Sequence, residues 1–161
     1  MSSRVLRFDH TALAVQSIEA VLPLYRDLLG GQVTHQHVNQ AEGFRITQLE
    51  YPNGARVELM EPVGAEGFLQ EFLAKRGEGA HHLTYVMEDL RAAVAEARLA
   101  GFRVVDESYD NPRWQQAFIS PRSAHGIVIQ LAATDELSAV SNQETDDELS
   151  STSRSDKGRS G

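Results

Sequence analysis

Residues 10–21 read HTALAVQSIEAV and residues 82–93 read HLTYVMEDLRAA. The two stretches share few identities, yet each opens on a histidine in an apolar run, passes a short polar break and enters an amphipathic helix that stops at a glycine, Gly30 or Gly101. The offset is 72 residues, and the same offset separates Glu58 from Gln130. A fixed offset between matching segments is the mark of a duplicated unit.

Working outward from the first copy, Val5 to Val15 turns from weak alternation to continuous apolar character, as a mostly buried strand does. Ser17 is a good N-cap for a helix that carries Ile18, Val21, Leu22, Tyr25, Leu28 and Leu29 at helical spacing. Gly30-Gly31 ends it. Strands are expected at Gln32 to Val38, Phe44 to Tyr51 and Ala55 to Met60, the last two joined through the turn residues Pro52-Asn53-Gly54. The second copy repeats the order: a strand at Ala80 to Met87, Asp89 as N-cap, a helix to Ala100, and strands at Phe102 to Asp106, Gln115 to Ile119 and Gly126 to Leu131. This predicts an α+β fold of two βαβββ modules, about 5–62 and 78–132, related by a pseudo-twofold. A short helix over 66–75, with Phe68, Leu69, Phe72 and Leu73 on one face, is expected to link them.

At 161 residues the chain suits one domain, expected over 1–133. Residues 134–161 contain no aromatic residue, seven serines, and seven acidic against three basic residues, a composition unable to offset its ordering entropy. We expect them to form a disordered acidic tail. The net charge of −8 and the lack of Lys/Arg clusters argue against a nucleic-acid partner. There is no cysteine, so any metal must sit on nitrogen and oxygen. Neither a signal-peptide core nor an apolar run of membrane-spanning length is visible, and a cytoplasmic protein without membrane contact is expected.

A lone strand histidine is ordinarily a hydrogen-bonded core or surface residue. Four positions in repeat register are a different matter, because a pseudo-twofold brings His10, His82, Glu58 and Gln130 toward one centre, and His with carboxylate or amide oxygen is a metal-ligand set. A carboxylate such as Glu58, flanked by Val57, Leu59 and Met60, is also costly to bury without a cationic partner. Strand alternation allows only one of His81 and His82 into the site, and the repeat selects His82. His35 and His37 share a face of the second strand, where ordinary exposure is expected, and His125 lies in a surface turn. Arg113 and Trp114, in the loop from Glu107 to Trp114, are candidates for substrate contact.

The stretches FDHTALAV, LYRDLLG, VELMEPVG, FLAKRGEGAHHLTYVMEDL and PRSAHGIVIQL, which span Arg7 to Leu131, resemble the vicinal oxygen chelate (glyoxalase/bleomycin resistance/dioxygenase) superfamily, and within it the methylmalonyl-CoA epimerases. The resemblance implies a cupped sheet around a divalent ion such as Co, Mn, Zn, Ni or Fe, often in a homodimer, and a small-molecule substrate such as an acyl-CoA. It places metal ligands at His10, Glu58, His82 and Gln130. The last is usually a glutamate that also moves the substrate proton. An amide has no such basicity. We therefore expect the carboxylate and amide to have exchanged places across the pseudo-twofold, with Glu58 as the catalytic base. The expected activity is that of a metal-dependent epimerase or isomerase. A lyase, a non-haem Fe(II) dioxygenase with two His and one carboxylate, or a small-molecule binding or resistance protein are the alternatives. NPRW at residues 111–114 departs from the epimerase pattern and points to an altered substrate.

Overall fold

A computed structural model of the chain describes residues 3–135; the greater part of the expected acidic tail lies outside the described residues. Among the described residues, eight strands form one mixed sheet: β1 (Val5–Ala14), β2 (Gln32–Asn39), β3 (Phe44–Glu50), β4 (Arg56–Pro62), β5 (Gly79–Met87), β6 (Val104–Ser108), β7 (Gln115–Ile119) and β8 (Val128–Ala133). The order across the sheet is β2-β3-β4-β1-β5-β8-β7-β6. Each module therefore keeps its own four strands, and the antiparallel β1–β5 pair joins them. Within modules, β1 runs parallel to β4 and β5 parallel to β8.

The register makes the internal symmetry explicit. Across β1–β5, His10 pairs with Thr84 and Ala12 with His82, so the local twofold passes through the Thr11–Leu83 pair between them. Ala12 pairs with Glu58 on β4, and their repeat equivalents, Thr84 and Gln130, pair on β8. The helix caps obey the same offset: Ser17 accepts from the Ala20 N–H at 3.3 Å, and Asp89 accepts from the Ala92 N–H at 3.0 Å.

Apolar residues on one face of the sheet meet two of the helices. Leu49, Leu59 and Val15 pack with Ile18 of α1 (Ile18–Leu22), whereas Met87, Ala117 and Leu131 pack with Leu90, Ala93 and Val94 of α3 (Leu90–Leu99). Leu59 is fully buried. Leu59→Ala is expected to cost about 2–5 kcal/mol of unfolding free energy, readable as a lowered midpoint in urea. The linking helix, α2 (Phe68–Arg76), lies over the opposite side of the sheet, where Leu69 and Leu73 cover Ala12, Ala14 and Met60.

One expectation for this part of the chain is corrected. The helix after Ser17 does not continue as a single α-helix to Gly30 but widens over Pro23–Leu28 into a π-helical turn. The Leu29 N–H there reaches back to the Leu24 carbonyl and the Gly31 N–H to the Tyr25 carbonyl. Proline offers no N–H to an α-helical ladder, and the wider turn rotates the residues after it. Leu28 and Leu29 are consequently exposed, at 76% and 53%, rather than packed. Gly31 is required where it stands, since a Cβ there would lie 2.7 Å from the Tyr25 carbonyl oxygen.

Candidate metal centre

His10, Glu58 and His82 come from three adjacent strands, β1, β4 and β5, and each offers a ligand atom within 4.8 Å of the others. The two imidazole centroids are 5.5 Å apart, and His10 Nε2 lies 3.6 Å from Glu58 Oε2. All three side chains are buried. Burial pushes the Glu58 carboxyl above its ordinary range against the pull of His10.

Behind His10 stands a residue the sequence reading did not select. Asp9 is 4% exposed, and its Oδ2 accepts from His10 Nδ1 at 2.7 Å. Its other oxygen takes Arg7 at 2.8 Å and Arg56 at 3.2 Å. Burial alone would raise the Asp9 carboxyl, but the hydrogen bond and charge of His10, with Arg7, outweigh it and hold it below the ordinary carboxylate range. Simple alternation would turn Asp9 away from the side of His10. A β-bulge prevents this: Phe8 pairs with Tyr85 and His10 with Thr84, leaving Asp9 as the extra residue. The only signal in the sequence was its adjacency to His10.

His82 is flanked in the same manner. Its Nδ1 lies 2.9 Å from Nδ1 of His81, which occupies a second bulge, between the Ala12–His82 and Leu13–Ala80 pairs. His82 is the member of this pair that joins the cluster, and His81 is in direct contact with its back. Burial, followed by the charge of Arg76, lowers His81 to about 4. Burial, then the neighbouring rings of His81 and His10, holds His82 well below its usual value. Both rings are thus neutral near pH 7, as metal ligation requires. His82 Nε2 is buried and, among the described residues, is the only buried side-chain nitrogen or oxygen with no hydrogen-bond partner. Gln130 is close enough to His82 to oppose that shift, while its amide oxygen accepts from Thr84 and its amide nitrogen donates to Gln116.

A family model described as the glyoxalase/bleomycin resistance protein/dioxygenase superfamily matches residues 9–118. The chain belongs to this superfamily. An ethylmalonyl-CoA/methylmalonyl-CoA epimerase of Cereibacter sphaeroides is 30% identical over 132 residues, covering 78% of this chain and 96% of the relative. The crystal structure of methylmalonyl-CoA epimerase from Mycobacterium tuberculosis superposes with a TM-score of 0.75 at 30% identity, covering 86% of this chain and 95% of that one. A Streptomyces coelicolor methylmalonyl-CoA epimerase variant in complex with 2-nitronate-propionyl-CoA gives 0.72 at 29% identity, covering 82% and 99%. The fold expected from the duplication is therefore that of the glyoxalase-type epimerase structures.

Gln130 borders the cluster: its Oε1 accepts from Thr84 Oγ1 at 2.6 Å, and its Nε2 donates to Gln116 at 2.8 Å. Thr84 Oγ1 also lies 3.0 Å from His10 Nε2. Gln116 Oε1 receives the indole N–H of Trp114 at 3.2 Å, so Trp114 is tied to the cluster through two amides. Arg113 is exposed, and its backbone N–H caps on Asn111. His35 and His37 stack on each other, 6.4 Å between centroids, on the exposed face of β2. His125 sits in an exposed turn with φ of 58°. No helix among the described residues is long and apolar enough to cross a membrane.

Proposed function

We propose that this chain is a metal-dependent isomerase of the epimerase type, which removes and returns a proton next to the carbonyl of an acyl-CoA or a related carbonyl acid. The observation that carries this reading is the convergence of His10, Glu58 and His82 in a chain 30% identical to an acyl-CoA epimerase. A divalent ion fits the residues present: the donors are all nitrogen and oxygen, burial holds the His82 ring neutral, and its Nε2 is left without a hydrogen-bond partner. His10, His82 and Glu58 would hold it, with the lone pair that the Gln130 oxygen keeps after accepting from Thr84 as the fourth donor. When bound, such an ion supplies Lewis acidity for the negative charge that develops on a carbonyl oxygen.

The chain itself supplies the proton chemistry. Glu58 has two oxygens and a carboxyl raised by burial, which brings it nearer to the range a base needs at neutral pH. Gln130 has no basic atom, and its amide is committed to Thr84 and Gln116. Proton transfer therefore belongs to the Glu58 side of the substrate. Trp114, held through Gln116, and Arg113, on the adjacent exposed loop, are assigned to substrate contact.

The test is exchange of the α-hydrogen in D2O across a panel of acyl-CoA thioesters. A mass gain that requires both protein and divalent ion supports the reading. No gain for any acyl-CoA would overturn it. Two His and one carboxylate also suit Fe(II) oxygen chemistry, and oxygen consumption by the iron-loaded protein, in place of exchange, would favour that reading.

A further inference from the structure

We propose that His81 is a positioning residue: it holds His82 in the tautomer with its proton on Nδ1, so that the Nε2 lone pair faces the cluster. Asp9 and His81 are 72 residues apart, each immediately precedes a cluster histidine, and each is the extra residue of a β-bulge in the β1–β5 pair. The bulges are thus copies of one device, which turns residues 9 and 81 onto the Nδ1 atoms of His10 and His82.

In the first copy the direction of the hydrogen bond is fixed, because an ionised carboxylate only accepts. In the second, two ring nitrogens stand 2.9 Å apart, and a single proton lies between them. Were it carried by His81, the proton of neutral His82 would sit on Nε2, the atom with no hydrogen-bond partner, as a buried and unpaired donor. With the proton on His82 Nδ1, His81 Nδ1 accepts it and Nε2 is left with a lone pair. The partner of one ring nitrogen sets what the other can do.

His81 is well placed to hold that bond steady. Its ring lies between Phe72 and Phe68 of α2, at centroid distances of 4.9 and 5.6 Å. Leu69 and Leu73 anchor the same helix to the sheet, and the Arg76 guanidinium stacks 5.8 Å from the Phe72 ring while donating to the Gly126 carbonyl. The linking helix thus serves as a clamp on the His81 ring.

The effect on ion affinity rests on the metal reading above, whereas the tautomer does not. The experiment combines 15N NMR of the histidine side chains in the chelator-treated full chain with zinc titration by calorimetry, on wild type, His81→Phe and His81→Asn. Phenylalanine keeps an apolar ring between Phe68 and Phe72 but accepts nothing. Asparagine restores an acceptor oxygen at about the position of Nδ1. Wild type is expected to show His82 protonated on Nδ1. His81→Phe should abolish the preference for Nδ1, so that a substantial share of His82 carries its proton on Nε2, and weaken zinc binding about 10–100-fold, with His81→Asn recovering most of the loss. A wild-type His82 protonated on Nε2, or a His81→Phe protein that binds zinc as tightly as wild type, overturns the proposal. A wild type that binds no zinc overturns the metal reading instead, and the tautomer in the metal-free protein still decides the role of His81.

Discussion

Replacing Glu58 by glutamine is expected to lower α-hydrogen exchange by about 10²–10⁴-fold, the range that positioned acid–base groups contribute, while a divalent ion still binds. Glutamine keeps the shape of the side chain and an oxygen donor but gives up the basic lone pairs. The same variant has a second signature, in stability. The Glu58 carboxyl lies above its unfolded-state value because of burial. In the metal-free protein its ionisation therefore works against folding: the penalty is absent below the unfolded value and grows as pH rises through the interval up to the folded value. Metal-free Glu58→Gln should consequently melt no lower than wild type at pH 7. Wild-type turnover in Glu58→Gln with metal bound would remove Glu58 from the chemistry.

His82→Ala is expected to weaken divalent-ion binding by more than the 10–100-fold or so that loss of an outer hydrogen-bond partner costs, and to abolish exchange with it. His82 provides a buried nitrogen with no hydrogen-bond partner and its loss leaves no alternative nitrogen on β5, because His81 faces the clamp formed by Phe68 and Phe72. A milder result is expected for Asp9→Asn. The amide still reaches His10 but removes the charge that makes that ring a stronger ligand, and Arg7 and Arg56 lose their buried counter-ion. Zinc calorimetry should place the loss for Asp9→Asn within about 10–100-fold, between wild type and His82→Ala.

The duplicated architecture was legible in the chain because the residues that define it are separated by a constant interval and sit in strands whose apolar neighbours announce burial. His10 and His82 on the central pair, with Glu58 and Gln130 on the flanking parallel strands, required only pairing of like with like. Asp9 and His81 were not legible for a physical reason: strict alternation sends neighbours to opposite faces, and a bulge depends on the register between two strands distant in sequence. The break in the first helix was foreshadowed by Pro23, yet the apolar spacing of Leu28 and Leu29 ran on through it and suggested burial that the π-helical turn prevents. The commitment of the Gln130 amide to Thr84 and Gln116 depends on partners 46 and 14 residues away, which no local pattern reports.

The repeat also clarifies how one fold accommodates an exchange of acid and amide. Glu58 and Gln130 occupy equivalent positions on β4 and β8, opposite Ala12 and Thr84. The Thr84 hydroxyl gives Gln130 a hydrogen-bond donor that Ala12 does not offer Glu58. The amide is thereby held by Thr84 and Gln116, and on the proposed function the carboxylate of Glu58 serves both the ion and the substrate proton.

The most direct test of the central claim is a cobalt titration of the chelator-treated chain, followed by visible absorption, on wild type and on His10→Ala. We expect wild type to take up one ion per chain with the spectrum of nitrogen and oxygen ligation, and His10→Ala to take up none at the same concentrations. A wild type that binds no cobalt, or a His10→Ala protein with an unchanged titration, would contradict a metal centre at the junction of the two modules.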